Sequence, residues 1–238
     1  MTFVRQDPVF YAGAELHRIK QANVQRALAA SGCDALLFFK AEAVRYITDF
    51  YVKGFRPFME PEYVVLVVKD KAPVVGHISG SDDLRIRYKS DIEDARRLPR
   101  IGDWSRTIGE MLRDYGVTSG TVGTDLMPYM VHDGLRRQFP SLAITDAGAI
   151  WSQLTAVKHP LEIELVREAV RVADLGAAAA TAAIRPGVRE HAVAAEAVYA
   201  MRRNGSEFEP FIPLVASGYN TSMFERVATE KVIERGEM

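Results

Sequence analysis

Short apolar runs alternate with amphipathic stretches along most of the chain, and this alternation constrains the fold more than any other feature. Ala35 to Phe39 is a continuous apolar run of strand length, which is typical of a strand buried on both faces. Further strands are predicted at Tyr63 to Val68, Pro73 to Ile78, Thr121 to Gly123 and Leu142 to Thr145. Helices are predicted at Ala14 to Ala30, Glu42 to Ile47, Ser81 to Lys89, Trp104 to Tyr115 and Pro128 to Gln138. Strands separated by helices predict an α/β layer with a mixed sheet.

The pattern changes near Trp151 to His159. Apolar residues recur at helical spacing from Pro160 to Ile184, and a proline suits the first turn of such a helix. A second helix is predicted from Glu190 to Arg203. We therefore expect two domains, one comprising residues 1–156 and the other residues 157–238.

The composition is that of a globular protein with neither a nucleic acid nor a membrane as its partner. The chain has 30 basic and 31 acidic residues, a balance that gives no field favouring either polyanion. No apolar run approaches the roughly 20 residues that span a bilayer, and the N-terminus lacks a basic-then-apolar targeting signal. The single cysteine, Cys33, excludes an intramolecular disulfide and suits a reducing compartment. We therefore expect a cytoplasmic protein.

The familiar short catalytic motifs are absent from this sequence: it has no phosphate loop, no dinucleotide-binding glycine pattern and no nucleophile elbow. The five histidines are not spaced as ligands on one element, so each is expected at a surface or a domain boundary. The acidic residues lie mostly opposite the apolar faces of helices, as solvated residues do. The sequence therefore predicts no metal-binding residue in this chain.

Two polar loops are the candidate sites. In the first, Val52 to Phe58, Arg56 lies between two aromatic residues, where it can pair with a carboxylate while the rings hold a ligand. The aromatic residues could equally serve only to anchor a surface loop. The second is Ser217 to Met238, in which a glycine turn leads into a polar run and Lys231 to Gly236 is predicted to be a short strand closed by a turn. Because no further element uses that turn, we expect the chain to be part of a larger protein.

Four stretches together resemble the creatinase and aminopeptidase P family, the "pita-bread" metallohydrolases. They are residues 43–50 with Gly54-Phe55-Arg56-Pro57, residues 156–163, residues 217–221 and residues 231–236. The second stretch resembles the entry to the catalytic domain of that family, and the fourth resembles the strand before its metal site. In this order and spacing, the four stretches are specific for the superfamily but not for a substrate.

The resemblance implies an N-terminal domain with a ribonuclease-H-like mixed sheet and flanking helices, followed by the first helices and strand of a pita-bread α+β domain. In the family, two Asp, one His and two Glu hold a pair of divalent ions (Mn, Zn, Co or Fe), and all five lie downstream of the position of Gly236. The implied activity is hydrolysis of a C–N bond in a small carboxylate-bearing substrate or dipeptide. We expect this chain alone to be inactive and to bind no metal pair.

One position departs from the family pattern. Relatives carry a histidine eight residues after the serine of the Ser-Gly-x-Asn segment, where it contacts substrate or relays protons. Counted from Ser217, this position is Glu225, whose carboxylate reverses the charge available to a substrate carboxylate or oxyanion. The resemblance implies a proton-handling role for Glu225 and a pocket-lining role for Asn220. The alternative is an offset loop in which a neighbouring residue takes the role of the histidine.

The resemblance also assigns Phe55 and Arg56 to substrate binding. In creatinase-like dimers, an N-terminal loop with a Phe and an Arg reaches the active site of the partner and grips the substrate carboxylate, so we expect a homodimer. Two other functions stay open. One is a lyase that cleaves dimethylsulfoniopropionate on the same scaffold, which the change at Glu225 favours. The other is a non-catalytic dimerisation or regulatory module.

Overall fold

The computed structural model describes residues 13–49, 61–209, 212–224 and 226–237, without the side chains of residues 87–89. These residues fall into two compact units, one ending at His159 and the other beginning at Pro160. The division lies close to the boundary expected between residues 156 and 157. The domain limits themselves stay a prediction.

The first unit is a mixed sheet of six strands flanked by helices. Its strands are β1 (Ala35–Phe38), β2 (Tyr63–Val68), β3 (Val74–His77), β4 (Asp94–Arg97), β5 (Gly120–Thr124) and β6 (Leu142–Asp146). Its helices are α1 (Gly13–Ser31), α2 (Ala41–Thr48), α3 (Gly80–Lys89), α4 (Trp104–Asp114), α5 (Tyr129–Gln138) and α6 (Gly148–Ala156). The strand order is β4-β3-β2-β1-β5-β6, and β2 is antiparallel to both of its neighbours whereas the other neighbouring pairs are parallel. The predicted α/β fold with a mixed sheet is thus confirmed.

Strand β1 lies at the centre of the unit and is buried on both faces, as its unbroken apolar sequence predicts. Leu36 and Phe38 join a core that includes Val24 of α1 and Val44 of α2. On the opposite face, Leu37 joins a core that includes residues of α4 and α5. Alternate side chains of a strand point to opposite faces, so one short run supports two helical layers.

The sequence does not predict two elements of this unit. Strand β4 has the sequence Asp-Ala-Arg-Arg and lies at the sheet edge, where polar residues replace the apolar pattern by which a strand is recognised. Helix α6 lies where the domain boundary is expected. Its Trp151 packs with a ring-centroid distance of 5.5 Å on both Phe38 and Tyr46, contacts that only the tertiary fold brings together.

The second unit contains α7 (Pro160–Ala183), α8 (Glu190–Arg203) and a short 3-10 helix (Gly218–Ser222). Helix α7 begins at Pro160, as predicted. The two long helices pack closely because Gly176 of α7 has no side chain: a Cβ there would lie 2.7 Å from Cγ of Met201. The second unit is thus organised around this helix pair.

The strand predicted from Lys231 to Gly236 is wrong. In the described part of this stretch, a single antiparallel bridge joins Val232 to Arg189, and backbone bonds link Ile233 with Gly187 at 2.9 Å and with Val188 at 2.8 Å. The N–H groups of Glu190 and His191 still donate to the carbonyls of Lys231 at 3.0 Å and Thr229 at 3.1 Å, but these two residues already belong to α8. A helix start does not form a β ladder, so the described residues provide no strand partner for this stretch.

Within the described ranges, no helix combines the length and the apolar character needed to cross a membrane.

Candidate functional site

A buried carboxylate, Glu190, organises the polar part of the second unit. It is the first residue of α8 and follows an extended N-cap residue, Arg189. An acidic residue in the first turn of a helix interacts favourably with the helix dipole. Glu190 is nevertheless unusual for an acidic residue in this position, because it is 0% exposed. A buried charge requires compensating partners.

Three residues supply those partners. Oε1 of Glu190 accepts hydrogen bonds from the backbone N–H of Ser217 at 2.7 Å, from Oγ of Ser217 at 2.9 Å and from Nδ2 of Asn220 at 3.0 Å. Oε2 accepts from Nδ2 of Asn220 at 2.9 Å, from the backbone N–H of Thr229 at 3.1 Å and from Oγ1 of Thr229 at 2.6 Å. We refer to Glu190, Ser217, Asn220 and Thr229 as the Glu190 cluster.

The cluster keeps Glu190 ionised. Burial alone would raise the pKa of this carboxyl, but the hydrogen bonds from Thr229, Asn220 and Ser217 outweigh burial and lower the pKa to about 2. A carboxylate has about four acceptor positions, and donors from this chain occupy them all. Glu190 is therefore suited to holding structure together rather than to accepting a proton or binding a metal ion.

The cluster closes residues 217–229, hereafter the 217–229 segment, at both ends. Beyond Thr229, the chain stays attached to the start of α8 through the bond from the N–H of Glu190 to the carbonyl of Lys231 at 3.0 Å. Nζ of Lys231 donates to Oγ of Ser217 at 3.2 Å and pairs with Glu237 at 2.6 Å. The hydrogen bond between Lys231 and Glu237 raises the pKa of Lys231 and lowers the pKa of Glu237.

Gly218, which follows Ser217, has a backbone conformation that favours glycine. Its φ is +49°, in the left-handed region that glycine adopts most readily. A Cβ at this position would also lie 2.2 Å from Oε1 of Glu237. The glycine at position 218 is therefore explained first by its left-handed backbone conformation and then by the close approach of Glu237.

Asn220 is the one predicted site residue that the structure describes. It is completely buried, and its Nδ2 also donates to Oγ1 of Thr229 at 3.2 Å. Its Oδ1 is buried and accepts no hydrogen bond from the described residues. Phe55, Arg56 and Glu225 lie outside the described residues, and their roles stay predictions.

The sequence does not predict that Glu190, Ser217 and Thr229 form one cluster. The expectation that acidic residues are solvated is wrong for Glu190, because its partners lie 27 to 39 residues further along the chain. The sequence carries no local signal for this role, because a glutamate that opens a helix looks the same whether it is exposed or buried. The expectation for the histidines is also wrong at two positions, since His17 and His77 are buried.

The described residues do not fit a dinuclear metal centre. Among the side chains described, no three His, Cys, Asp or Glu residues lie close enough together to hold a metal ion. Both carboxylate oxygens of Glu190 already accept hydrogen bonds from donors of the same chain, which leaves no acceptor position for a metal ion.

In chain order, an α/β unit with a six-stranded sheet is followed by a helical unit with a closed polar segment. The sequence profile of the Creatinase/Prolidase N-terminal domain matches residues 20–157, and that of Metallopeptidase family M24 matches residues 164–238. The chain belongs to the creatinase and prolidase family.

Similar proteins support this assignment. The chain is 27% identical over 234 residues to a creatinase from Bacillus sp. (strain B-0618). The aligned region covers 92% of this chain and 54% of that creatinase. It is 24% identical over 208 residues to an Xaa-Pro dipeptidase from Pyrococcus horikoshii, with coverage of 79% and 57%. The solved X-Pro aminopeptidase from Thermotoga maritima shares the fold with a TM-score of 0.76 at 19% identity, over 91% of this chain and 58% of that one. The chain thus spans a little over half the length of these relatives.

Proposed function

We propose that this chain provides the N-terminal portion of a metal-dependent hydrolase that cleaves a C–N bond in a small carboxylate-bearing substrate. The observation that carries the proposal is the 217–229 segment, closed on a buried carboxylate within the residues that match Metallopeptidase family M24. The names of the relatives support the reaction class, since they include a creatinase and an Xaa-Pro dipeptidase. Dipeptides and creatine-like compounds are therefore the first substrates to test.

The proposal assigns roles to four residues. Arg56, with Phe55, binds the substrate carboxylate through the paired hydrogen bonds that a guanidinium makes with a carboxylate. Glu225 handles protons, and Asn220 orients groups at the site. Because the loop of Arg56 would act on the site of a second subunit, a homodimer is part of the proposal.

The cofactor and the location also belong to the proposal. A pair of divalent ions (Mn, Zn, Co or Fe) would polarise the scissile group and activate water in the complete protein. Its ligands would come from residues other than those described here. A cytoplasmic location is proposed because the single cysteine suits a reducing compartment.

Substrate assays test the reaction class. The 238-residue chain and a form extended to the length of its relatives would each be incubated with Xaa-Pro dipeptides, creatine and dimethylsulfoniopropionate, in the presence of each candidate metal. We expect the extended form to hydrolyse one of the first two substrates and the 238-residue chain to turn over none. Stoichiometric binding of divalent metal with peptidase activity by the 238-residue chain would overturn the proposal. Release of acrylate from the sulfonium compound would identify a lyase instead.

The role of Arg56 has its own test in the extended form. We expect Arg56→Ala to raise KM at least tenfold for a substrate with a free carboxylate and to leave KM unchanged for the corresponding amide. Arg106→Ala, at an exposed position on α4, is the matched control and should leave both values unchanged. Unchanged KM with Arg56→Ala would indicate that the loop supports assembly only.

A further inference from the structure

The 217–229 segment has little apolar packing to define its conformation. Among its described residues, only Ser217 and Asn220 are buried, and both bind Glu190. The large apolar side chains of the segment point to solvent: Phe224 is 94% exposed and Tyr219 is 66% exposed. The conformation of the segment therefore depends on polar contacts, and six hydrogen bonds among them end on the carboxylate of Glu190. Two further bonds support the same ends, from the N–H of His191 to the carbonyl of Thr229 at 3.1 Å and from Nζ of Lys231 to Oγ of Ser217 at 3.2 Å.

We propose that Glu190 is a positioning residue: its carboxylate joins the two ends of the 217–229 segment and fixes the side-chain amide of Asn220 with Nδ2 facing inward. The orientation follows from chemistry as well as from distance, since an ionised carboxylate only accepts hydrogen bonds and must face the NH2 group of the amide. Rotation of the amide would bring Oδ1 against the negative charge. Glu190 thus holds Oδ1 in an orientation in which it has no donor among the described residues.

The side chain at position 190 must be both charged and of this length. A glutamine would place its own NH2 group against the donors of Ser217 or Thr229, so that at least one donor would lose its acceptor. An aspartate would withdraw the carboxylate by about 1.5 Å, the length of one C–C bond, and could not reach both ends. The requirement is thus for an acceptor that serves two separated ends of the chain at once.

Backbone dynamics in the 238-residue chain test the positioning role without reference to activity. We expect NMR order parameters of about 0.85 for the amides of Ser217 and Thr229 in the wild type and values below about 0.6 in Glu190→Gln. Exchange of the Thr229 amide should accelerate at least tenfold, while amides at the centre of α8 are unchanged. Glu196→Gln, an exposed substitution on the same helix, should match the wild type. Wild-type order parameters in Glu190→Gln would overturn the proposal.

A paired substitution distinguishes a specific contact from general loosening. Asn220→Asp places two carboxylates face to face and should loosen the segment at least as much as Glu190→Gln. When the two changes are combined, the new amide at position 190 can donate to the new carboxylate at position 220. We expect the double variant to recover part of the amide protection that each single variant loses. Additive loss would show that residues 190 and 220 do not act through each other.

The consequence for catalysis rests on the proposed function and is measured in the extended form. If the segment must be held for reaction, Glu190→Gln lowers kcat at least tenfold with KM changed less than threefold, and Glu196→Gln changes neither. A loosened segment with unchanged kcat would overturn the catalytic part of the positioning role. An extended wild type inactive on every substrate would instead count against the proposed function, and the order parameters would still decide whether Glu190 holds the segment.

Discussion

The hydroxyl of Tyr63 donates a hydrogen bond to Oδ2 of Asp82 at 3.0 Å, joining β2 to the first turn of α3 within the first unit. Tyr63 is 2% exposed and Asp82 is 0% exposed. Tyr63→Phe removes this donor from a buried carboxylate, so we expect it to lower the free energy of unfolding by about 1 to 3 kcal/mol. Urea titration measures the change.

The matched control for this change is Tyr115→Phe. The hydroxyl of Tyr115 lies 3.4 Å from Oδ2 of Asp94, and both residues are only half-buried. A longer and better hydrated bond contributes less, so the control should cost less than about 1 kcal/mol. Equal losses in the two variants would contradict the importance of burial at Tyr63.

Tyr63 also predicts how the stability of the first unit depends on alkaline pH. Burial, followed by the charge of Asp82, raises the pKa of Tyr63 well above its ordinary value of 10.0. Because the folded-state pKa is the higher one, the contribution is fully present below pH 10 and is lost as the unfolded chain ionises above it. The advantage of the wild type over Tyr63→Phe should shrink by up to about 1.4 kcal/mol per pH unit above pH 10. Urea titrations at pH 8 and pH 11 measure this difference, and a constant value would contradict the prediction.

A steric effect is predicted at Gly76, in the strand next to the edge strand of the sheet. A Cβ at this position of β3 would lie 2.6 Å from Cγ1 of Val64 and 3.0 Å from Cδ2 of Leu98, and both of these neighbours are buried. Gly76→Ala should therefore overpack the core and cost about 1 to 3 kcal/mol. Gly80→Ala, at the start of α3, is the control because its nearest neighbour would be an atom of Arg97 at 3.8 Å. The control should be neutral or slightly stabilising, and thermal unfolding of both variants provides the comparison.

The sequence predicts the parts of the fold in which local pattern and burial agree. Strand β1 and helix α7 are examples: one is apolar throughout and is buried on both faces, and the other begins at a proline. Edge strand β4 escapes prediction because half-exposed polar residues carry no apolar pattern. The stretch from Lys231 to Gly236 has the alternation of a strand, but the described part of the chain offers it only a single bridge, to Arg189. Strand pairing depends on two segments, so it cannot be predicted from the sequence of one segment alone.

The candidate site is less predictable for a related reason. Asn220 is identified through its place in a recognisable segment, but the role of Glu190 depends on residues that folding brings to it. An exposed glutamate at a helix start and a buried one have the same local sequence. Only the convergence of Ser217, Asn220 and Thr229 on the carboxylate distinguishes the two.

Glu190 finally predicts how the second unit responds to acid. Its hydrogen bonds lower its pKa from 4.5 to about 2, so its contribution is fully present above pH 4.5 and is lost as pH falls towards 2. The ammonium group of Lys231 and the carboxylate of Glu237 also face the cluster, and both remain when position 190 is changed. We expect Glu190→Gln to lower the free energy of unfolding by about 2 to 3 kcal/mol at pH 7 and by progressively less at pH 4 and pH 3, because the wild type loses the same contribution on protonation.

The measurement must follow the second unit by itself. Both tryptophans, Trp104 and Trp151, lie in the first unit, so unfolding of the second unit is followed through NMR intensities of α8 amides in urea. Glu196→Gln should stay within about 0.5 kcal/mol of the wild type at every pH. A cost of Glu190→Gln that stays constant from pH 7 to pH 3 would show that the charge of Glu190 does not stabilise the unit.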